Sequence, residues 1–254
     1  MTSILVTGGT GTLGRPTVSQ LQAAGHHLRI LSRNPAAPTT ETPRAGSTAP
    51  DHVVADLSTG AGVAAAVEGV EVIVHLATSQ GAKDIVQTKN LLAAAAGVRH
   101  LVLMSISGID RVPLGYYRAK LESERLVAES GTPYTILRAT QFHNLLDKVL
   151  TGQRFLPLVL APAVQLQPIA VEEVATRIAE LVDAQPVNGR VADIGGPERR
   201  PVPEFARLWK QARAVRRPVV PLRLPGRIFR AYAAGDATVE GPAYGRITFA
   251  EYLR

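Results

Sequence analysis

The chain is 254 residues long and 46% hydrophobic, enough for a sizeable core in one large α/β domain, alone or with a small appended lobe. It has no cysteine, which excludes a disulfide framework, a thiol nucleophile and a thiolate metal site, and its six histidines lack metal-ligand spacing, so no metal is expected. No apolar run nears the ~20 residues of a membrane-spanning helix, no basic cleavable leader precedes the first strand, and the net charge of +7 leaves a nucleic-acid partner to be judged by where the charge lies. A soluble, cytoplasmic protein with no membrane partner is expected.

The first element is a short apolar strand, Ile4-Leu5-Val6, followed by the turn Thr7-Gly8-Gly9-Thr10-Gly11-Thr12-Leu13-Gly14 and a helix starting near Thr12. The glycines read as Gly9-x-Gly11-x-x-Gly14 or as Gly8-x-x-Gly11-x-x-Gly14. Either reading puts small residues where a turn is tight and the backbone must approach a pyrophosphate seated on a helix N-terminus. Glycines alone also suit a flexible loop, but strand, turn, helix and a second strand over 28–34 give the context of a dinucleotide-binding unit. That second strand ends Ser32-Arg33-Asn34, where an NAD site carries a carboxylate for the ribose 2′-hydroxyl. A guanidinium beside a hydroxyl suits a 2′-phosphate, so NADP is the expected cofactor, against the plainer reading of Arg33 as a solvated strand-end residue.

Strand-like and helix-like segments then alternate. Strands are expected at 52–55, 70–76, 100–104 and 133–137, with helices near 61–68, 83–97, 116–130 and 141–150. Such spacing implies right-handed crossovers in a doubly wound parallel sheet, a Rossmann-type α/β core over residues 1–150. The Pro-, Ala- and Thr-rich stretch from Asn34 to Asp51 reads as a long loop beside the adenosine end of the site. Residues 151–254 read as a mixed segment that partly completes the core and partly forms a small substrate lobe. Proline makes 155–164 loop and strand, 171–184 has the spacing of an amphipathic helix, Asn188-Gly189 turns into a strand at 190–194, and 203–213 and 226–234 are helical around an extended 218–224. Between Arg207 and Arg230 lie eight basic residues and no acidic one. No nucleic-acid-binding motif accompanies them, and a solvated basic face on the lobe is the expected reading, with no nucleic-acid partner.

Tyr116 and Lys120 are four residues apart, hence on one helix face. An ammonium beside a phenol lowers its pKa and suits it to exchange a proton with a carbonyl or alcohol while a nicotinamide exchanges hydride. Chance also produces Tyr-x-x-x-Lys on helices, as a packing contact beside a surface lysine. Here the pair follows a strand with a serine-rich end, in a chain that opens with a dinucleotide fingerprint.

These residues resemble the short-chain dehydrogenases/reductases, specifically their atypical NmrA-like NAD(P)H-binding branch. The glycine turn, Asp56-Leu57, His75-Leu76-Ala77, Tyr116-x-x-x-Lys120, the segment 135–142 and Pro168-Ile-Ala-Val-Glu-Glu-Val-Ala175 carry the resemblance, which spans nearly the whole chain. It implies that Asp56 and Leu57 border the adenine, that Ala77 and Thr78 line the middle of the cofactor, that Lys120 also binds its ribose, and that 141–165 and 200–245 shape the substrate lobe. The chain departs from the pattern at Ser105-Ile106-Ser107, where Ile106 occupies the position of the usual catalytic hydroxyl, so Ser105 and Ser107 both remain candidates. Ala170 stands where the branch often has an acid.

The resulting expectation is an NADP(H)-dependent oxidoreductase that reduces a carbonyl, quinone or conjugated double bond of a small apolar molecule. Its rivals are an NADP-sensing regulator without turnover and, less favoured, a nucleotide-sugar epimerase or dehydratase. His143, Trp209, Tyr232 and Tyr244 are secondary candidates for a substrate pocket, against the plainer readings of a polar helix-start residue for His143 and of core or lobe packing for the three aromatics. Oligomeric state stays open.

Overall fold

The computed structural model describes residues 1–34 and 49–254. Most of the expected long loop beside the adenosine end therefore lies outside the described residues.

The chain packs as two compact units. The first comprises residues 1–105, 119–137 and 174–191. Its strands are β1 (Ser3–Thr7), β2 (His27–Ser32), β3 (Asp51–Val54), β4 (Val72–His75), β5 (His100–Ile106), β6 (Tyr134–Ala139) and β9 (Gly189–Arg190), in the spatial order β3-β2-β1-β4-β5-β6-β9. Adjacent strands run parallel wherever their register is resolved. Helices α1 (Gly14–Ala23), α2 (Val63–Val67), α3 (Lys83–Ala94), α4 (Gly115–Glu129) and α6 (Val171–Asp183) supply the crossovers. This is the doubly wound Rossmann-type fold that the alternation predicts.

Strands covered on both faces must be apolar along their length rather than alternating between apolar and polar. β1 and β4 meet that condition: Ile4, Leu5, Val6, Val72, Ile73 and Val74 are all fully buried. One face of the sheet is sealed by α2 and α3, whose Val63, Ala66, Val67 and Leu91 join Leu5, Ile73, Leu101 and Leu103 in one core.

The second unit comprises residues 106–118, 138–173 and 192–254. It contains α5 (His143–Thr151), β7 (Val159–Pro162), β8 (Gln165–Leu166), β10 (Arg200–Pro201), α7 (Val202–Ala212), β11 (Val219–Leu222), α8 (Arg227–Ala233) and α9 (Phe249–Tyr252). β7 pairs with β11 in parallel and β8 with β10 antiparallel. Its larger core joins Leu146, Leu150, Val159, Phe205, Trp209 and Phe249, and a smaller one centres on Ile109, Val112, Tyr117 and Ala237. The expected strand at 190–194 is shorter than its pattern suggests: ladder pairing stops at Arg190, and Ile194 makes only an isolated bridge to Ala139.

Candidate cofactor and proton-transfer site

The strand register builds the edge on which the site sits. Thr7 lies opposite Leu31 and His75, Leu31 opposite Val53, and His75 opposite Leu103, so these residues form one row across the sheet. Gly8 and Leu76 follow this row and leave the carboxyl edge, Ser32 and Val54 pair once more as the last residues of β2 and β3, and β5 continues to Ile106. The strand order reverses between β1 and β4, and ligands of open α/β sheets bind at such a switch point.

The glycine turn crosses that point with no room for side chains inside it. A Cβ on Gly14 would lie 2.1 Å from the Gly8 carbonyl oxygen and 2.6 Å from Gly9 Cα, and one on Gly8 would lie 2.8 Å from the Ala77 nitrogen. Gly14 opens α1 rather than Thr12, and the helix N-terminus has no side-chain cap and no acidic residue in its first turn. Thr10, Gly11 and Thr12 are exposed above it. An uncapped N-terminus reached over bare backbone fits a pyrophosphate, whose charge meets unpaired N–H groups and the positive end of the helix dipole.

At the end of β2, Arg33 is exposed and Ser32 half-buried, with the Ser32 hydroxyl accepting a hydrogen bond from the Asn34 amide at 3.3 Å. After β3, the Asp56 carboxylate accepts from the Ser58 amide at 2.8 Å, while the Leu57 side chain is buried in the core. Leu57 therefore presents only backbone, and its carbonyl accepts from Asn90 Nδ2 at 2.7 Å. Ala77 donates its amide to Thr7 Oγ1 at 3.3 Å, and Thr78 donates its hydroxyl to Asp84 Oδ2 at 2.6 Å.

Lys120 is only 5% exposed and Met104 O, at 3.4 Å, is its one hydrogen-bond partner among the described residues. Burial pulls its pKa below the ordinary lysine value, opposed by the charges of Asp84 and Glu124. Around it runs a buried polar network that the sequence pattern does not announce. The Asp84 carboxylate also accepts from the Ser79 amide at 2.5 Å, and Ser105 donates its hydroxyl to Glu124 Oε1 at 2.5 Å. The Thr88 hydroxyl lies 2.8 Å from the Asp84 carbonyl, 3.1 Å from Ser123 Oγ and 3.5 Å from His75 Nε2. His75 Nδ1 closes the chain at 2.7 Å from Thr7 Oγ1. Burial, with the Lys120 charge adding to it, pulls His75 down to about 3, so its ring is neutral. The Glu124 spacing, one turn beyond Lys120 on α4, is the one signal that would have found part of this network.

Ser107 and Tyr116 belong to the second unit. Ser107 is fully buried, and its hydroxyl has no hydrogen-bond partner among the described residues. Tyr116 is half-buried in the first turn of α4, one turn before Lys120. Its neighbour Tyr117 shares a 2.6 Å hydroxyl–hydroxyl hydrogen bond with Tyr232, and burial raises the pKa of both. Trp209 is a core residue whose indole N–H donates to Asp147 Oδ1 at 2.8 Å. His143 is fully buried and stacked against Tyr252, with ring centroids 5.3 Å apart, so core packing accounts for it. Among the described residues no cluster of His, Cys, Asp or Glu is arranged to hold a metal, and no helix is long and apolar enough to cross a membrane.

Residues 8–185 match the NAD(P)H-binding family profile, from the first glycine of the turn to the end of α6. The chain belongs to this NAD(P)H-binding family. Its family relatives bear out the resemblance to the atypical short-chain dehydrogenases/reductases. It is 30% identical over 233 residues to the chloroplastic divinyl chlorophyllide a 8-vinyl-reductase of Zea mays, covering 80% of this chain and 57% of the maize protein. It is 32% identical over 202 residues to the (4-alkanoyl-5-oxo-2,5-dihydrofuran-3-yl)methyl phosphate reductase of Streptomyces griseus, covering 77% of this chain and 68% of that one. The chain thus spans little more than half the length of the maize relative. Among solved structures, the fold is similar to a nucleoside-diphosphate-sugar epimerase from Staphylococcus aureus (TM-score 0.80, 19% identity, 99% of both chains). It is also similar to the NADPH complex of the quinone oxidoreductase of Escherichia coli (TM-score 0.76, 20% identity, 98% of both chains).

Proposed function

We propose that this NAD(P)H-binding protein is an NADPH-dependent reductase of a carbonyl, quinone or conjugated double bond in a small, largely apolar molecule. Bound NADPH supplies the hydride. The glycine turn from Gly8 to Gly14 holds the pyrophosphate, Ser32 and Arg33 take the 2′-phosphate, Asp56 and the Leu57 backbone border the adenine, and Ala77 and Thr78 line the middle of the site. The observation that carries this reading is Lys120, a buried ammonium with three donors and one long hydrogen bond among the described residues, at 3.4 Å. Ribose hydroxyls satisfy the remaining donors, and the retained charge stabilises the phenolate that Tyr116 becomes on handing its proton to the substrate oxygen or carbon. Of the two serines, Ser107 is the better substrate ligand. The Ser105 hydroxyl is already given to Glu124, whereas that of Ser107 has no partner among the described residues. The maize and Streptomyces relatives are both named reductases, which supports reduction over sugar epimerisation.

The test follows NADPH oxidation by loss of reduced-nicotinamide absorbance across quinones, enones and ketones. Tyr116→Phe is expected to leave NADPH affinity unchanged and lower kcat by about 10²–10⁴-fold, the usual contribution of a positioned acid. Tight NADPH binding with full turnover by the variant removes Tyr116 from the mechanism, and tight binding with no oxidation by any compound favours the sensor.

A further inference from the structure

The basic stretch from Arg207 to Arg230 does not form one uniform face. Arg213 pairs with Asp147 at 3.1 Å, and Arg217 donates to the carbonyls of Gln153 and Leu156, so these two guanidiniums hold the lobe together. Arg227 and Arg230 instead stand one turn apart on α8 and line a shallow, solvent-open cleft of the second unit. Arg111, from the segment after β5, lines the same cleft, together with Pro113, Ala231 and Asp236. Three guanidiniums against the one carboxylate of Asp236 leave the cleft with a net charge of +2. None of the three arginines forms an ion pair among the described residues.

We infer that this cleft is a binding site for the anionic group, phosphate or carboxylate, of a small molecule. The backbone beneath the arginines is tied down, while the side chains of Arg227 and Arg230 reach into solvent. Tyr232 ties α8 to Tyr117 through their 2.6 Å hydroxyl contact, and the amide of Asp236 donates to the Ala231 carbonyl at 3.1 Å. Arg111 reaches across to the Thr238 carbonyl at 3.4 Å, which orients its guanidinium and leaves its other N–H groups to a ligand. Guanidinium forks match the paired oxygens of a phosphate or carboxylate. Three like charges held on one concave wall repel each other, and an oxyanion relieves that repulsion. A duplex backbone instead needs contacts spread along its length.

The site is independent of the proposed hydride transfer and is tested without turnover. Protein saturated with NADPH, so that the glycine turn is filled, is titrated calorimetrically at about 50 mM salt with phenyl phosphate, benzoate and benzyl alcohol. Saturable one-to-one binding of phenyl phosphate, benzoate or both, with none of benzyl alcohol, is expected, and the tighter arm identifies the anion. Arg227→Ala combined with Arg230→Ala is expected to weaken that binding about tenfold or more, the usual range for losing a charge-assisted hydrogen bond. Arg216→Ala, an exposed arginine of the same stretch outside the cleft lining, is the control and is expected to retain it. Melting temperatures and NADPH affinities matched to the wild type show that the variants are folded; should the double variant melt early, Arg230→Gln alone replaces it. No saturable binding of either anion, equal weakening by Arg216→Ala, or tighter binding of duplex DNA than of phenyl phosphate through the same two arginines overturns the inference.

Discussion

Replacing Gly14 by alanine adds one methyl group and is expected to disable the cofactor turn. The new Cβ would fall 2.1 Å from the Gly8 carbonyl oxygen and 2.6 Å from Gly9 Cα, more than an ångström inside ordinary contact in the first case. Both neighbours are backbone, so no side chain can swing aside, and the turn itself must open. Two effects of opposite sign compete. Alanine in place of glycine favours a helix by up to about 1 kcal/mol, while forcing a methyl group into closely packed surroundings costs about 1–3 kcal/mol. Because the obstruction is rigid, the steric cost prevails, and at about 2–4 °C per kcal/mol for a chain of this size the melting temperature is expected to fall by several degrees. NADPH affinity, read by fluorescence titration, is expected to fall much further, since the opened turn no longer presents its amides to the pyrophosphate. Gly11→Ala is the comparison: its Cβ would meet only the Gly8 carbonyl oxygen, at 3.2 Å, so the fold is expected to accommodate it. A Gly14→Ala protein that melts with the wild type and binds NADPH equally well would refute the reasoning.

The two serines separate by different readouts: Ser105→Ala removes the 2.5 Å hydroxyl donor of the buried Glu124 carboxylate and is expected to cost about 0.5–1.5 kcal/mol in chemical denaturation. Ser107→Ala is expected to spare stability and lower kcat, and the opposite pattern would assign the substrate contact to Ser105. His75 sets an acid limit. Its folded-state pKa, near 3, lies below the unfolded value of 6.5, so between those pH values the unfolded chain binds a proton that the folded ring does not. Stability is therefore expected to be full above about pH 6.5 and to fall as pH drops towards 3, by at most about 1.4 kcal/mol per pH unit from this group. His75→Gln is expected to flatten that slope, and an unchanged slope would place the acid sensitivity elsewhere. His100, also held low at about 4 by burial, adds a smaller part in the same sense. Arg33→Asp is expected to weaken NADPH more than NADH in calorimetric titration, and equal weakening would show that Arg33 does not read the 2′-phosphate.

The parallel sheet was legible because its strands are buried on both faces, and such strands are written as short apolar runs between glycines. β8 and β10 were not, since two-residue ladders such as Gln165–Leu166 against Arg200–Pro201 have no period to read. α9 escaped although Thr248 and Glu251 form a complete capping box, because only four helical residues follow it. In the candidate site, the glycine turn and the Tyr116–Lys120 spacing are local signals and could be read from neighbouring positions alone. Asp84, Thr88 and Glu124 take their meaning from partners on other elements, and only the folded chain brings those together. Leu57 shows the converse: a position next to the cofactor segment whose side chain the core had already taken.

The buried network explains why the fold tolerates an ammonium in its interior. An isolated charge removed from water is strongly disfavoured, and the depressed pKa of Lys120 registers that cost. Asp84 and Glu124 offset it electrostatically while each carboxylate is hydrogen-bonded to a hydroxyl or amide of a neighbouring segment. Asp84 thereby fixes the loop after β4, and Glu124 fixes the end of β5, with Thr88 and Ser123 joining α3 to α4 between them. The same charges that oppose the effect of burial on Lys120 thus hold the segments on either side of it in place. A role for Lys120 in the chemistry then requires no rearrangement of its surroundings, which is the condition under which a buried charge contributes most to binding or proton transfer.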